Sequence, residues 1–351
     1  MLGVLGLALI VGPAVPATAG PRTRVQQVDA IFARYERGEQ PGCAVGVGER
    51  GRPVLTKGYG VADLERGAPI TRQSVFDIAS DSKQITAAVV YLLAADGVLS
   101  LSDDVRRWVP ELPAYAKSPT LDDMVHHVSG LPDYTGLLDA PDSAHTTTAD
   151  ALRVLADQPE LDFAPGRRFE YSNTNYFLLS VVAERATGRS FRDLVTERIF
   201  TPLGMRHSLV FDDADERTPH LATGYAGDGS RFDREISNWQ QTGDGGVRTT
   251  VGDLLRWVGN LSDFAVGGPG LRAAMFTPGP RLDEGYGYGG GLSIDSLDGR
   301  LLVEHSGAWA GYTSDVVALP DDGLGVVVLC NRDDADPERL AWRVLRAWRS
   351  G

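Results

Sequence analysis

Residues 76–95 read FDIASDSKQITAAVVYLLAA. From Ser80 to Ala95 apolar side chains (Ile85, Ala87, Ala88, Val89, Val90, Leu92, Leu93) fall almost all round a helical wheel, and Gly97 follows as a C-cap. A helix of that kind is buried on every side, so other elements must pack around it. Its first turn carries Ser80-Asp81-Ser82-Lys83. Positions three apart share a helix face, so the Lys83 amine can reach the Ser80 hydroxyl. First-turn N–H groups are unpaired and can stabilise an oxyanion. Burial disfavours an ammonium, which lets a lysine accept a proton at neutral pH. The plainer reading of the same residues is a serine cap with a solvated lysine one turn on.

Outward from this helix the chain changes texture twice. Val25, Val28, Ile31, Phe32 and Tyr35 recur at helical spacing and predict an opening amphipathic helix. Cys43–Gly48 and Pro53–Gly60 then read as two strands joined by the turn Glu49-Arg50-Gly51-Arg52. After residue 80 helices dominate, with starts marked by Thr120/Asp123, Ser190/Asp193 and Thr250/Asp253, and one helix from Asn175 to Thr187 closed by Gly188. Beyond about Gly285 strands return: Leu301–His305, Thr313–Leu319 and Leu324–Cys330, the last two joined at Asp321-Asp322-Gly323. Asp336 and Pro337 open a final helix whose inner face is Leu340, Ala341, Val344, Leu345 and Trp348. The simplest arrangement is an α/β (α+β) fold: a five-stranded antiparallel sheet flanked by the N- and C-terminal helices, with an all-helical lobe inserted. Residues 20–75 and 262–351 form the sheet lobe and 76–261 the helical lobe. A cleft between them is the default place for a site.

The 351 residues carry a net charge of −13. That argues against a nucleic-acid partner, which needs a basic face, and against an anionic membrane surface. Only three lysines occur, Lys57, Lys83 and Lys117. Arginine does not give up its proton, so a lysine in so arginine-biased a chain stands out. The apolar run Leu2–Val11 followed by Ala17-Thr18-Ala19 reads as a signal peptide spanning residues 1–19, although no basic residue precedes it. It is too short and too rich in Gly and Pro to span a bilayer. The protein is therefore expected to be secreted or held at the cell envelope, and to act as a monomer. Cys43 and Cys330 sit in strand-like segments, where a bridge and two inert thiols both remain open.

Two further motifs carry chemistry. Tyr171-Ser172-Asn173 precedes a helix, where a tyrosine hydroxyl can point into a cleft. A phenolate needs a nearby cation, which Lys83 could supply, and Asn173 offers a donor and an acceptor suited to a substrate amide. Asn173 and Asn175 also serve as ordinary N-cap residues. His305-Ser306-Gly307 ends a strand, and the Ala308 N–H can pair with that of Ser80 around an oxyanion.

These motifs, in this order and around this insertion, resemble the serine β-lactamase and penicillin-binding-protein-like superfamily. The likeness is to the branch holding class C β-lactamases, D-alanyl-D-alanine carboxypeptidases, D-peptidases and esterases. It extends through Asp96–Asp103, His127-Val128-Ser129-Gly130-Leu131-Pro132, Phe169–Tyr176 and Gly245-Gly246-Val247-Arg248-Thr249-Thr250, from about residue 25 to about 331. The resemblance implies a β-lactamase/transpeptidase-like fold and an acyl-enzyme mechanism without metal or organic cofactor. Ser80 would be the nucleophile, Lys83 and Tyr171 the proton carriers. Asn173, His305, Ser306, Gly307 and Ala308 would bind the substrate or its oxyanion. Many β-lactamases have Lys-Thr-Gly where this chain has His305-Ser306-Gly307, which shifts the expected substrate from β-lactams toward D-alanyl peptides, with small esters close behind. A catalytically silent binder of cell-wall fragments is the non-enzyme alternative. Asp81 reads as a solvated charge at the cleft mouth, and His126 and His127 read as structural. Trp309 could line an acyl pocket, but packing is the commoner fate of a tryptophan.

Overall fold

The computed structural model describes residues 23–36, 39–115, 117–141, 143–280 and 287–350. The expected signal segment lies outside them. Among the described residues no helix is long and apolar enough to cross a membrane.

The central sheet is antiparallel and has seven strands rather than the expected five. In chain order these are β1 (Cys43–Glu49), β2 (Arg52–Tyr59), β3 (Gly287–Tyr288), β4 (Ser293–Leu297), β5 (Arg300–Trp309), β6 (Tyr312–Leu319) and β7 (Leu324–Cys330). Across the sheet they run β3-β4-β5-β6-β7-β1-β2. The two strands missed from sequence, β3 and β4, are two and five residues long and give too few alternations to register as a period. The β1–β2 turn holds Arg50 and Gly51 at φ 49° and 72°, the geometry that suits a two-residue hairpin.

Alternation decides which layer each side chain joins. Val45, Val47, Val326 and Val328 face the terminal helices α1 (Arg24–Phe32) and, at the far end of the chain, the helix Pro337–Ser350, whose Leu340, Val344 and Leu345 meet them. Ala44, Val316, Val327 and Leu329 face the other way, into a core shared with the intervening helices. On that face the helix Val251–Asp263 lies close against the sheet. A Cβ on Gly325 would sit 2.2 Å from Val258, and one on Gly46 2.7 Å from Leu255, so glycine on two neighbouring strands permits the approach.

The segment expected to be wholly helical also holds strands. Val75–Asp77, Val247–Thr250 and Leu209–Val210 form a small three-stranded sheet, and Gly224–Gly227 pairs with Phe232–Glu235. These pieces of two to four residues are specified by their partners rather than by local pattern. The predicted helix starts hold: Thr120, Ser190 and Thr250 each accept the N–H three residues on.

Cys43 and Cys330 face each other across β1 and β7 and are joined in a disulfide, which decides between the two readings left open. Of the other two lysines, Lys57 pairs with Asp29 at 2.6 Å and Lys117 donates to the Pro165 carbonyl.

Candidate active site

Ser80 lies in a 3-10 turn, Ala79–Asp81, that feeds the buried helix α2 (Ser82–Ala95). Entry to this turn is strained: Ala79 has φ +46°, a region that a residue with a Cβ seldom adopts. The surroundings hold it there. The Ala79 N–H donates to Asp77 Oδ1 at 2.9 Å, the Ile78 N–H to the Val247 carbonyl, and the Ser314 hydroxyl to the Ile78 carbonyl. Gly307 on β5 lies directly beneath, where a Cβ would come within 2.5 Å of the Ile78 carbonyl oxygen and 3.0 Å of the Ala79 Cβ. The glycine of the third motif thus lets the nucleophile turn dock on the strand.

One turn along α2, Lys83 is completely buried, and its Nζ meets three acceptors: Ser80 Oγ at 2.9 Å, Asn173 Oδ1 at 2.9 Å and the Asp244 carbonyl at 2.7 Å. Asn173 is the first residue of the helix Asn173–Thr187 and does not cap it. Its N–H and its Nδ2 both donate to Asp133 Oδ2, at 2.8 and 3.1 Å, which turns the amide oxygen toward Lys83. Sequence placed Asn173 toward a substrate amide; the structure commits its oxygen to the lysine.

Tyr171 is partly exposed, and its ring centroid is 4.9 Å from Lys83 Nζ. Beneath it lies His127, which is fully buried. His127 Nδ1 accepts the Ser172 N–H at 3.1 Å, so its proton sits on Nε2. Burial, with Lys83 nearby, holds this imidazole neutral, well below its usual range.

His305, Ser306, Gly307 and Ala308 lie within β5, which continues to Trp309 rather than ending at the motif. The β4–β5 ladder stops at Glu304, so beyond it β5 has a strand partner only on the β6 side. The Ser80 turn packs against that stretch. His305 Nδ1 donates to the Ser306 carbonyl at 2.7 Å, and Nε2 accepts from the Tyr288 hydroxyl at 3.0 Å. Burial and the Lys83 charge push its pKa down to about 3, so the position is uncharged at neutral pH.

Asp81 departs from expectation. It has no exposed surface, Gln84 Nε2 donates to its Oδ1, and burial raises its pKa well above the usual carboxylate range. The cause is the docking of the turn on the sheet, which carries Asp81 inward toward another fully buried acid, Asp315 on β6.

Two cavities meet at Ser80, Tyr171 and Ala308. One, of about 240 Å³, runs under Asn173 between Tyr134, Trp239 and Trp309. The other, of about 720 Å³, opens past His305 and Ser306. Trp309 therefore does line a pocket. Asp133, Tyr134, Trp239, Asp244 and Tyr288 were not singled out from sequence. The one local signal was Gly243-Asp244-Gly245-Gly246, an acid set in a glycine run.

A family model described as Beta-lactamase matches residues 28–347. Penicillin-binding protein 4* of Bacillus subtilis (strain 168) is 30% identical over 329 residues, covering 88% of this chain and 72% of that protein. A D-aminopeptidase of Gluconobacter oxydans (strain 621H) is 31% identical over 313 residues, with 88% of this chain but 58% of the relative covered. Among solved structures, the octameric penicillin-binding protein homologue from Pyrococcus abyssi superposes with a TM-score of 0.81 at 26% identity, covering 93% and 77% of the two chains. A D-stereospecific amidohydrolase from Streptomyces sp. shares the fold, with a TM-score of 0.74 at 23% identity over 93% and 98%. With a matched model across nearly the whole described chain and a serine–lysine pair in contact, this chain belongs to the β-lactamase family of serine hydrolases.

Proposed function

We propose that the protein is a serine acyl hydrolase of D-peptidase or amidohydrolase type, working through an ester on Ser80. The observation that carries this is the contact of Lys83 Nζ with Ser80 Oγ, in a site where the lysine's other two neighbours are fixed acceptors. Ser80 Oγ attacks the substrate carbonyl and gives its proton to the Lys83–Tyr171 pair. The oxyanion forms between the N–H groups of Ser80 and Ala308. The C–N or C–O bond breaks, and the leaving group takes a proton through Tyr171. Water then adds to the Ser80 ester, loses a proton to the same pair, and releases the acid as Ser80 regains its hydrogen. No metal or organic cofactor enters this cycle. Relatives that include a D-aminopeptidase and a D-stereospecific amidohydrolase support the amide reading.

An ester substrate is the second reading, and His305 favours it. A neutral imidazole gives no charge to hold a substrate carboxylate, which an ester does not need and a β-lactam or a D-alanyl-D-alanine peptide presents. We also read the protein as exported and monomeric. The buried disulfide supports an oxidising compartment. Light scattering would test the monomer, given the octameric homologue.

Labelling by a fluorophosphonate, compared between wild type and S80A, tests the nucleophile: equal labelling refutes it. Rates on D-alanyl-D-alanine peptide, nitrophenyl ester and chromogenic cephalosporin then rank the substrates. Cephalosporin hydrolysis far above the other two would overturn the preference for amides and esters.

A further inference from the structure

The two cavities that meet at Ser80 differ in width, and an acyl-enzyme cycle gives them different occupants. The acyl group stays bound through both chemical steps, which suits the cavity of about 240 Å³. The leaving group must depart before water adds, which suits the one of about 720 Å³. The inner wall of this wider cavity is a run of rings: the centroids of Phe169, Tyr171 and His305 lie 5.9, 6.3 and 5.9 Å from that of Tyr288. Its outer end is acidic. Asp333, Asp336 and Glu338 line it, and among the described residues no arginine or lysine does. None of the three acids joins an ion pair among the described residues. Arg339 and Arg343 share a separate hollow on the far side of Glu338.

Beneath these acids lies a carboxyl with nothing to bind. Asp315 on β6 has no exposed surface, and neither of its side-chain oxygens has a hydrogen-bond partner. It stands opposite Ser306 in the β5–β6 register and two positions from Thr313, so its side chain leaves the sheet on the face where those two line the cavity. Glu304, Glu338 and Asp336 all act on it electrostatically. Glu304, on the same face, is pushed up to about 7 by burial, with Glu338 and Asp295 adding to the effect. Helix chemistry explains part of this crowding. Asp336 Oδ1 accepts the Arg339 N–H, and Glu338 sits in the first turn, where acids are favoured. It does not explain Asp333, which precedes the helix, or Asp315 and Glu304, which are on the sheet.

We infer that the wider cavity takes a leaving group with a remote positive charge, an amine or alcohol whose far end is an ammonium seated among Asp333, Asp336 and Glu338. The inference rests on the acyl-hydrolase reading above and names its substrate class. The Lys83 charge at the inner end keeps a second cation outward, and the rings receive the carbon chain between the reacting carbonyl and the ammonium. The bond from the acyl carbon to the heteroatom breaks at Ser80, the heteroatom takes its proton through Tyr171, and the ammonium leaves unchanged with it. Such a leaving group is opposite in charge to the free carboxylate of a D-alanyl-D-alanine peptide.

The test compares S-acetyl thiols that end in trimethylammonium with isosteres that end in tert-butyl, at spacers of two and six methylene groups. The released thiol is counted with a disulfide reagent, to which this chain, with both cysteines bridged, contributes nothing. Wild type should show a kcat/KM at least ten-fold higher on the cation at one spacer or the other. Salt screens exposed charges, so that ratio should fall between about 20 mM and about 500 mM NaCl. The triple variant D333N/D336N/E338Q keeps the acceptor oxygens and the helix cap but loses the charge. It should reduce the ratio by ten-fold or more, chiefly through KM. A ratio near one at both spacers, a ratio unmoved by salt, or a variant that slows both substrates in equal proportion overturns the inference. An enzyme labelled at Ser80 by fluorophosphonate that hydrolyses none of these thioesters also overturns it and leaves the acyl-hydrolase reading standing. Absence of Ser80 labelling would defeat both.

Discussion

The imidazole of His127 lies flat against the phenol of Tyr171, with centroids 4.4 Å apart and the rings inclined by 26°. His127 is itself held at φ +55°, and through Nδ1 it accepts the N–H of the residue after the tyrosine. It therefore fixes both the ring and the backbone of the second motif.

Replacing His127 separates these two duties. H127F keeps a flat ring but leaves the Ser172 N–H without its acceptor, at about 1–3 kcal/mol. H127A also removes the ring and opens a void, and should lose more stability and more kcat than H127F. Urea midpoints and steady-state rates on a nitrophenyl ester check this. H127A with wild-type kcat would remove His127 from the support of Tyr171.

Lys83 must both hold a proton and release it. K83R keeps the charge but not the exchange. Its rate of Ser80 modification by fluorophosphonate should fall by roughly 10²-fold or more. A K83R enzyme labelled at the wild-type rate would show that proton transfer goes elsewhere.

Gly307 sets the distance between strand and nucleophile. In G307A a new methyl meets the Ile78 carbonyl and Ser314 Oγ, both within 2.6 Å, so the Ser80 turn must lift. The strain is about 1–3 kcal/mol, and kcat should fall more than stability does. Thermal melts alongside kcat measure the two, and a variant with unchanged kcat would mean that the turn tolerates the shift.

Acid should unfold the protein partly through His305. Its folded pKa is about 3 against an ordinary value of 6.5, so between those values the unfolded chain binds a proton that the folded chain refuses. Stability from this group is complete above pH 6.5 and is lost as pH falls toward 3, by on the order of 2–5 kcal/mol. H305Q should flatten that limb in urea midpoints taken from about pH 7 to pH 4. Parallel curves for the two proteins would assign the acid sensitivity to other groups.

The parts of this molecule that sequence disclosed are those written in local repeats. The three-residue spacing of Ser80 and Lys83, the capping pairs and the valine-rich strands all follow from neighbours along the chain. Strands β3 and β4 are too short to show a repeat, so the sheet was undercounted. Asp81 was misplaced because a carboxylate defaults to solvent; its burial depends on β5 and β6, which lie far along the chain. Asp244 and Trp239 acquire meaning only where separate segments close on one cavity, and Asp133 only where it turns the amide of Asn173.

The sulfur bridge between Cys43 and Cys330 spans 287 positions. It makes most of the polypeptide a covalent ring, with Ser80, Lys83 and Tyr171 inside it. A protease that nicks one exposed loop of that ring cannot set a fragment free. The clipped enzyme would run as a single species until a reductant separates its pieces.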